Sequence, residues 1–257
     1  MRRFLGLGAV VEMCPPLHRQ ISRLRKWRLH EPDFRLAYKV LGSSYGGWAV
    51  PEGYLDRKSI AYCVGVGRDI TFDLALVNRY GCKVFAFDPT PMAVEFMGSR
   101  ELPDEITFAP IGLSSHDGMA TFYTPQREGF DAFSKVIDPK CGESAEILCE
   151  TLTLASIMKR LGHDRVDLLK MDIEGFEYEV IDDIISSREL PNCLLLEFHH
   201  MLYGIGVQQT YRAVESLLAA GYRIFWVSNL GREYGFIRNM NTATDAANSL
   251  EARAVEH

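Results

Sequence analysis

No run in this chain approaches the roughly 20 consecutive apolar residues that a membrane helix needs. No integral membrane segment is therefore expected. Its six cysteines (Cys14, Cys63, Cys82, Cys141, Cys149, Cys193) show neither CxxC nor zinc-like spacing. A reducing compartment suits them best. Cys63 and Cys193 sit inside apolar runs, where a reduced thiol packs as a small hydrophobe. Internal repeats are lacking, and the composition is neither disordered nor fibrous. The start, Met1 to Val11, has two arginines before an apolar stretch, but no small-residue cleavage site follows Glu12. It reads as a cytoplasmic amino-terminal segment.

What is present suffices for one well-buried domain: 257 residues, 47% of them hydrophobic. The charge is uneven. Residues 1–40 hold nine Lys/Arg against three acids, so +6 sits there and −12 remains for the rest of a chain of net −6. A basic face packed on an acidic body is the simplest reading, and an acidic body argues against nucleic acid as a partner. Residues 1–50 are expected to form a basic helical segment. Residues 241–257, without aromatic or aliphatic clusters, are expected to be a loosely held tail.

Between these ends, apolar runs alternate with helical patterns, the signature of a parallel α/β sheet. Strands are expected at 59–64, 83–87, 106–111, 166–171 and 193–198. Helices are expected at 70–79, 91–99, 154–161, 177–186 and 210–220. Residues 118–152 break the rhythm and read as a small antiparallel insertion, with strands at 118–123 and 146–152 around a long loop. Residues 222–228 and 233–238 flank the tight turn Asn229-Leu-Gly231, so the parallel sheet should finish in an antiparallel hairpin.

Three motifs carry chemistry. The first, Leu168-Leu-Lys-Met-Asp-Ile-Glu-Gly-Phe-Glu177, gathers Asp172, Glu174 and Glu177 at a strand end, the edge where open α/β sheets bind ligands. Like charges there raise one another's pKa, although acids also favour a helix start for dipole reasons alone. The second, Val64-Gly65-Val66-Gly67-Arg68-Asp69, lets the backbone approach a ligand closely. The third Gly of a dinucleotide fingerprint is absent, because position 70 is Ile. The third, Asp88, lies 21 residues beyond Gly67, where a carboxylate can accept both ribose hydroxyls. Asp88-Pro89-Thr90-Pro91 would alternatively be only a helix-capping turn. Together these residues favour an adenosine-containing cofactor, and the terminal hairpin tilts the choice from NAD to S-adenosylmethionine.

The segments 65–73, 85–91, 168–177 and 196–200 resemble FkbM-type methyltransferases, and the resemblance covers about residues 55–240. It implies a class I, Rossmann-like methyltransferase fold with a mostly parallel seven-stranded sheet, spanning residues 51–240. It also implies S-adenosylmethionine as cofactor and O-methylation of a small-molecule or carbohydrate-like acceptor. Gly65 and Gly67 would line the methionine end, Asp88 with Pro89 the ribose, and Gly112 and Ser114 the adenine. Asp172 would stand between cofactor and acceptor. Relatives carry an acid just before the glycine turn, where Tyr62-Cys63 stand here, so Asp69 is a candidate for the methionine amino group. His199 and His200 end the fifth strand, and one of them, His199 by preference, is expected to act as base. Asp172, Glu174 and His199 could assemble as a divalent metal site, a point left open. Tyr123, Arg127, Phe130 and Phe133 of the insertion are candidates to clamp the acceptor. An NAD-dependent oxidoreductase and a non-catalytic cofactor-binding protein remain as alternatives, and oligomeric state is undetermined.

Overall fold

The computed structural model describes residues 29–125, 132–139 and 143–238. The expected tail 241–257, and residues 1–28 of the expected amino-terminal helical segment, lie outside these. The rest of that segment is not helical. Strands β1 (Tyr38–Leu41) and β2 (Trp48–Pro51) form an antiparallel hairpin of their own. All four residues of β2 are buried, and its aromatic, small and β-branched side chains suit a strand laid on a core rather than a solvated helix.

The central sheet uses β3 (Ile60–Val64), β4 (Lys83–Phe87), β5 (Ile106–Ala109), β9 (Leu168–Met171), β10 (Cys193–Glu197), β11 (Arg223–Val227) and β12 (Glu233–Ile237). Their order is β11-β12-β10-β9-β3-β4-β5. All pairings from β10 to β5 are parallel, whereas β12 runs antiparallel to both of its neighbours. The expected mostly parallel sheet with a closing antiparallel hairpin is thus observed. β6 (Gly112–Leu113), β7 (Gly118–Tyr123) and β8 (Glu146–Leu152) form a second small sheet, with β7 antiparallel to β8 as expected. The strand expected over 106–111 stops at Ala109, since Pro110 cannot donate to a ladder.

Side chains of the central strands alternate between two cores. Tyr62, Val64, Leu169, Met171, Leu194 and Leu196 pack one face against helices α3 (Leu154–Leu161), α4 (Glu177–Ser187) and α5 (Val207–Ala219). Ala61, Cys63, Leu168 and Leu195 pack the other face against α1 (Thr71–Tyr80) and the β1–β2 hairpin. Burial on both faces explains why β9 and β10 read as unbroken apolar runs. Helix α2 (Pro91–Gly98) starts at Thr90, whose hydroxyl accepts from Ala93 N at 3.4 Å. Cys63, Cys82, Cys149 and Cys193 are buried, unbridged thiols. No helix among the described residues is long and apolar enough to cross a membrane.

Candidate active site

From β3 the chain winds outward through β4 and β5, then returns to β9 on the other side of β3 and continues to β10. The carboxyl ends of β3 and β9 therefore flank the switch point where such sheets leave a crevice. A cavity of about 500 Å³ opens there, bounded by Gly65, Gly67, Asp88, Gly112, Asp172 and Trp48.

Two backbone amides at the turn meet one carboxylate. Val66 N and Gly67 N donate to Asp88 Oδ2 at 3.0 and 2.9 Å. Thr90 N and its hydroxyl donate to Asp88 Oδ1 at 2.9 and 2.6 Å. Asp88 thus holds the glycine turn in shape and borders the cavity with it. Gly65 has φ +84°, and a Cβ there would fall 1.8 Å from the Asp172 carbonyl oxygen. Gly67 has φ +54° and open space above it, since a Cβ at this position would meet nothing within 4 Å. Asp69 is already engaged: Oδ2 accepts from the Ser43 hydroxyl at 2.6 Å and Oδ1 from Thr71 N at 2.8 Å. Burial opposes its charge, but these bonds hold its carboxyl below the ordinary range.

The end of β9 carries the acids. Glu174 adopts φ +50°, an unusual conformation for this residue type, and with Asp172 it borders the cavity. His199 lies behind them, its Nε2 3.6 Å from Asp172 Oδ1 and 3.4 Å from Glu174 Oε2. Glu177 is fully buried at the start of α4. Its Oε1 accepts from His199 N at 2.7 Å and lies 3.2 Å from His199 Nδ1, while Oε2 accepts from Gly175 N at 2.9 Å. Burial works against a charged imidazole, but Glu174 and Glu177 outweigh it and hold His199 well above its ordinary pKa. Such a shift favours the imidazolium, which has no lone pair to offer as a base, while the neutral imidazole would have one. Asp172, Glu174 and His199 each offer one ligand atom within 4.8 Å of the others. One imidazole and two carboxylates, with Glu177 behind the imidazole, could hold a divalent cation.

Burial, and next the charge of Asp172, push the Glu197 carboxyl up from 4.5 to about 8. Its folded pKa exceeds the unfolded one, so its contribution to stability is full below 4.5 and is lost as pH rises towards 8. Glu197→Gln should make the slope of unfolding free energy against pH shallower across that window, by up to about 1.4 kcal/mol per pH unit. Urea unfolding at several pH values checks it, and parallel slopes would contradict it.

Residues 60–224 match the methyltransferase FkbM domain. The chain belongs to the FkbM methyltransferase family. Among curated proteins it is similar to probable methyltransferase-like protein 24 of Homo sapiens, 26% identical over 141 residues, which are 54% of this chain and 32% of that protein. The protein of the same description from Rattus norvegicus is also 26% identical, over 142 residues and the same shares. The chain thus matches about a third of the length of these relatives. Among solved structures, methyltransferase FkbM from Methylobacillus flagellatus KT is 13% identical, with a TM-score of 0.46, over 71% of this chain and 44% of that one. Aeropyrum pernix fibrillarin, in complex with natively bound S-adenosyl-L-methionine, is 9% identical, with a TM-score of 0.39, over 80% and 84%.

Most of the residues singled out in this FkbM chain converge. Gly65, Gly67, Asp69, Asp88, Pro89, Gly112, Asp172 and Glu174 all border the cavity. Ser114 does not: it is wholly buried, with its hydroxyl 3.4 Å from Glu179 Oε1. His200 turns away as well, its Nδ1 3.4 Å from the Thr210 hydroxyl, and burial lowers its pKa to about 4. Of the expected acceptor clamp, Phe133 borders the cavity, Tyr123 pairs with Ser134 at the end of β7, and Arg127 and Phe130 lie outside the described residues. The insertion is tied down beside the acids, with Lys135 N donating to Glu174 O at 3.0 Å and Lys135 Nζ pairing with Glu179. Sequence reasoning missed Trp48, Asp73 and Lys170, which also line the cavity. The one signal in the sequence was Lys170, a lone charge within an apolar run.

Proposed function

We propose that this chain is an S-adenosylmethionine-dependent O-methyltransferase acting on a small-molecule or carbohydrate-like hydroxyl. The observation that carries this reading is the shared cavity at the switch point, bordered by Gly65, Gly67 and Asp172 together. Its volume of about 500 Å³ lies within the usual range for cofactor sites. The open space above Gly67 suits a ligand laid on the turn.

When bound, S-adenosylmethionine supplies a methyl group already activated on a sulfonium. The protein then has to orient the acceptor and take its proton. Asp172 is the proposed proton acceptor, since it borders the cavity and His199 stands behind it. His199 in turn fixes the Asp172 and Glu174 carboxylates by charge. Bound there, the cofactor would supply the methyl group, and Asp172 would take the proton of the acceptor hydroxyl. The insertion at 118–152 flanks the acids and is the proposed acceptor-selecting part. A second reading rests on the Asp172–Glu174–His199 group, which, with His199 neutral, would hold a divalent cation able to supply Lewis-acid chemistry. Methyl transfer that survives thorough chelation excludes it.

Calorimetry with S-adenosylhomocysteine and NADH tests the cofactor. Binding of the first and not the second is expected, and the reverse points to an oxidoreductase. Asp88→Ala should weaken S-adenosylhomocysteine binding by about 1–3 kcal/mol, the scale of lost charged hydrogen bonds. It releases Val66 N and Gly67 N as well as any ribose contact. Unchanged affinity would remove Asp88 from the site.

A further inference from the structure

Asp73 lies in the first turn of α1, only 4% exposed, and lines the cavity. Its own backbone N–H and the Cys63 thiol favour the ionised carboxylate, yet Oδ1 has no hydrogen-bond partner among the described residues. A buried carboxylate oxygen left in this state is costly, by on the order of 1–3 kcal/mol, and natural structures seldom keep one without a reason. A donor arriving with a ligand supplies that reason.

The neighbours narrow the chemistry of the donor. Lys170 is buried, and its Nζ donates to Val64 O and Gly65 O at 3.3 and 2.7 Å. It acts on Asp73 through charge. Burial pushes the Asp73 carboxyl up to about 6, with Lys170 drawing it back, so at neutral pH the group is ionised. An ionised acid and a buried ammonium facing one cavity match a zwitterion. An α-amino-acid group brings an ammonium for Asp73 and a carboxylate for the side of Lys170, and it adds no net charge to the pocket. Lys170 Nζ also lies 3.7 Å from Asp172 Oδ2, and its charge would repel a divalent cation at Asp73. Asp69, the other acid near the turn, has both oxygens engaged by Ser43 and Thr71.

We propose that Asp73 is the receptor for the α-ammonium group at the amino-acid end of the ligand held in this cavity. Resting on the cofactor reading above, that group is the methionine end of S-adenosylmethionine. Asp73 is then a binding residue that sets where the sulfonium lies along the Gly65–Gly67 wall, and it takes no part in the proton transfer.

Calorimetry with two probes tests this. S-Adenosylhomocysteine carries the amino-acid end, and 5′-methylthioadenosine keeps the nucleoside and the sulfur without it. Asp73→Asn should lower affinity for the first by roughly ten- to hundred-fold, the range of a lost charge-assisted hydrogen bond, and leave affinity for the second nearly unchanged. Equal losses for both probes would make Asp73 a structural residue and overturn the proposal, as would no loss for either. On the wild-type protein, the deaminated analogue of S-adenosylhomocysteine should lose a similar factor, which keeps the test alive if the variant does not fold. An analogue that binds as tightly as the parent overturns the proposal alone. Failure of every adenosyl compound to bind the wild-type protein brings down the cofactor reading and this inference with it.

Discussion

Gly65→Ala should be the most damaging single change in the central sheet. Its new Cβ would need to sit 1.8 Å from the Asp172 carbonyl oxygen, at φ +84°. Neither atom can give way cheaply. Gly65 N donates to Phe87 O at 2.9 Å and Asp172 N to Val64 O at 3.2 Å, so both strand ends are pinned by the ladder. Relief requires parting β3 from β9 at the crevice. A loss of about 4 kcal/mol or more is expected, at the far end of the range for point mutants. In a domain of this size it corresponds to a fall in Tm of roughly ten degrees. Gly67→Ala is the matched control. Its φ is also positive, at +54°, but nothing lies within 4 Å of the added methyl. It should cost only about 1 kcal/mol, while intruding on the cavity and weakening S-adenosylhomocysteine. Thermal melts of the two variants side by side decide the matter, and a Gly65 variant as stable as the Gly67 variant would refute the close approach.

Glu177→Gln is expected to rank second. The side chain is fully buried and accepts from two backbone amides as well as facing His199 Nδ1. Glutamine keeps the volume but removes the charge that balances a buried imidazolium, and its amide group replaces one acceptor by a donor. Losing one partner of a buried pair costs about 3–5 kcal/mol. The pH dependence separates charge from shape. His199 has a folded pKa raised above 6.5, so the stability it contributes is full below 6.5 and fades as pH climbs through the folded value. The gap between wild type and variant should therefore be widest near pH 6 and narrow in alkali. A gap independent of pH in urea titrations would mean that His199 is not charged in the fold.

The parts of the molecule legible in the sequence are those whose causes are local. Doubly buried strands read as apolar runs, Gly81 and Gly162 mark helix ends, and Asn229–Gly231 marks the final hairpin. The meeting of Gly65 with Asp172 was legible too, because both end parallel strands at one edge of the sheet. What stayed hidden depends on neighbours distant in the chain. Lys170 was one charge in an expected strand, and the carbonyls of Val64 and Gly65 and the Asp73 carboxylate around it come from β3, the turn after it and α1. Asp73 stands in the first turn of α1, where acids are common, and only its burial makes it unusual. Ser114 followed the expected adenine loop, but the short β6–β8 pairing turns it inward to Glu179. His199 looked like a base because imidazole titrates near neutrality, and its upward shift comes from acids 22 and 25 positions earlier in the chain, at Glu177 and Glu174.

Strand β12 has a consequence for how the chain is made. It occupies a slot between β10 and β11, both synthesised before it, and its Tyr234 and Phe236 are fully buried. During translation the earlier strands must wait with that slot unfilled, and the edge of β10 stays bare until Ile237 has cleared the ribosome. A nascent chain stalled before Glu233 would present a sticky border to other polypeptides, one that a holding chaperone is suited to cover.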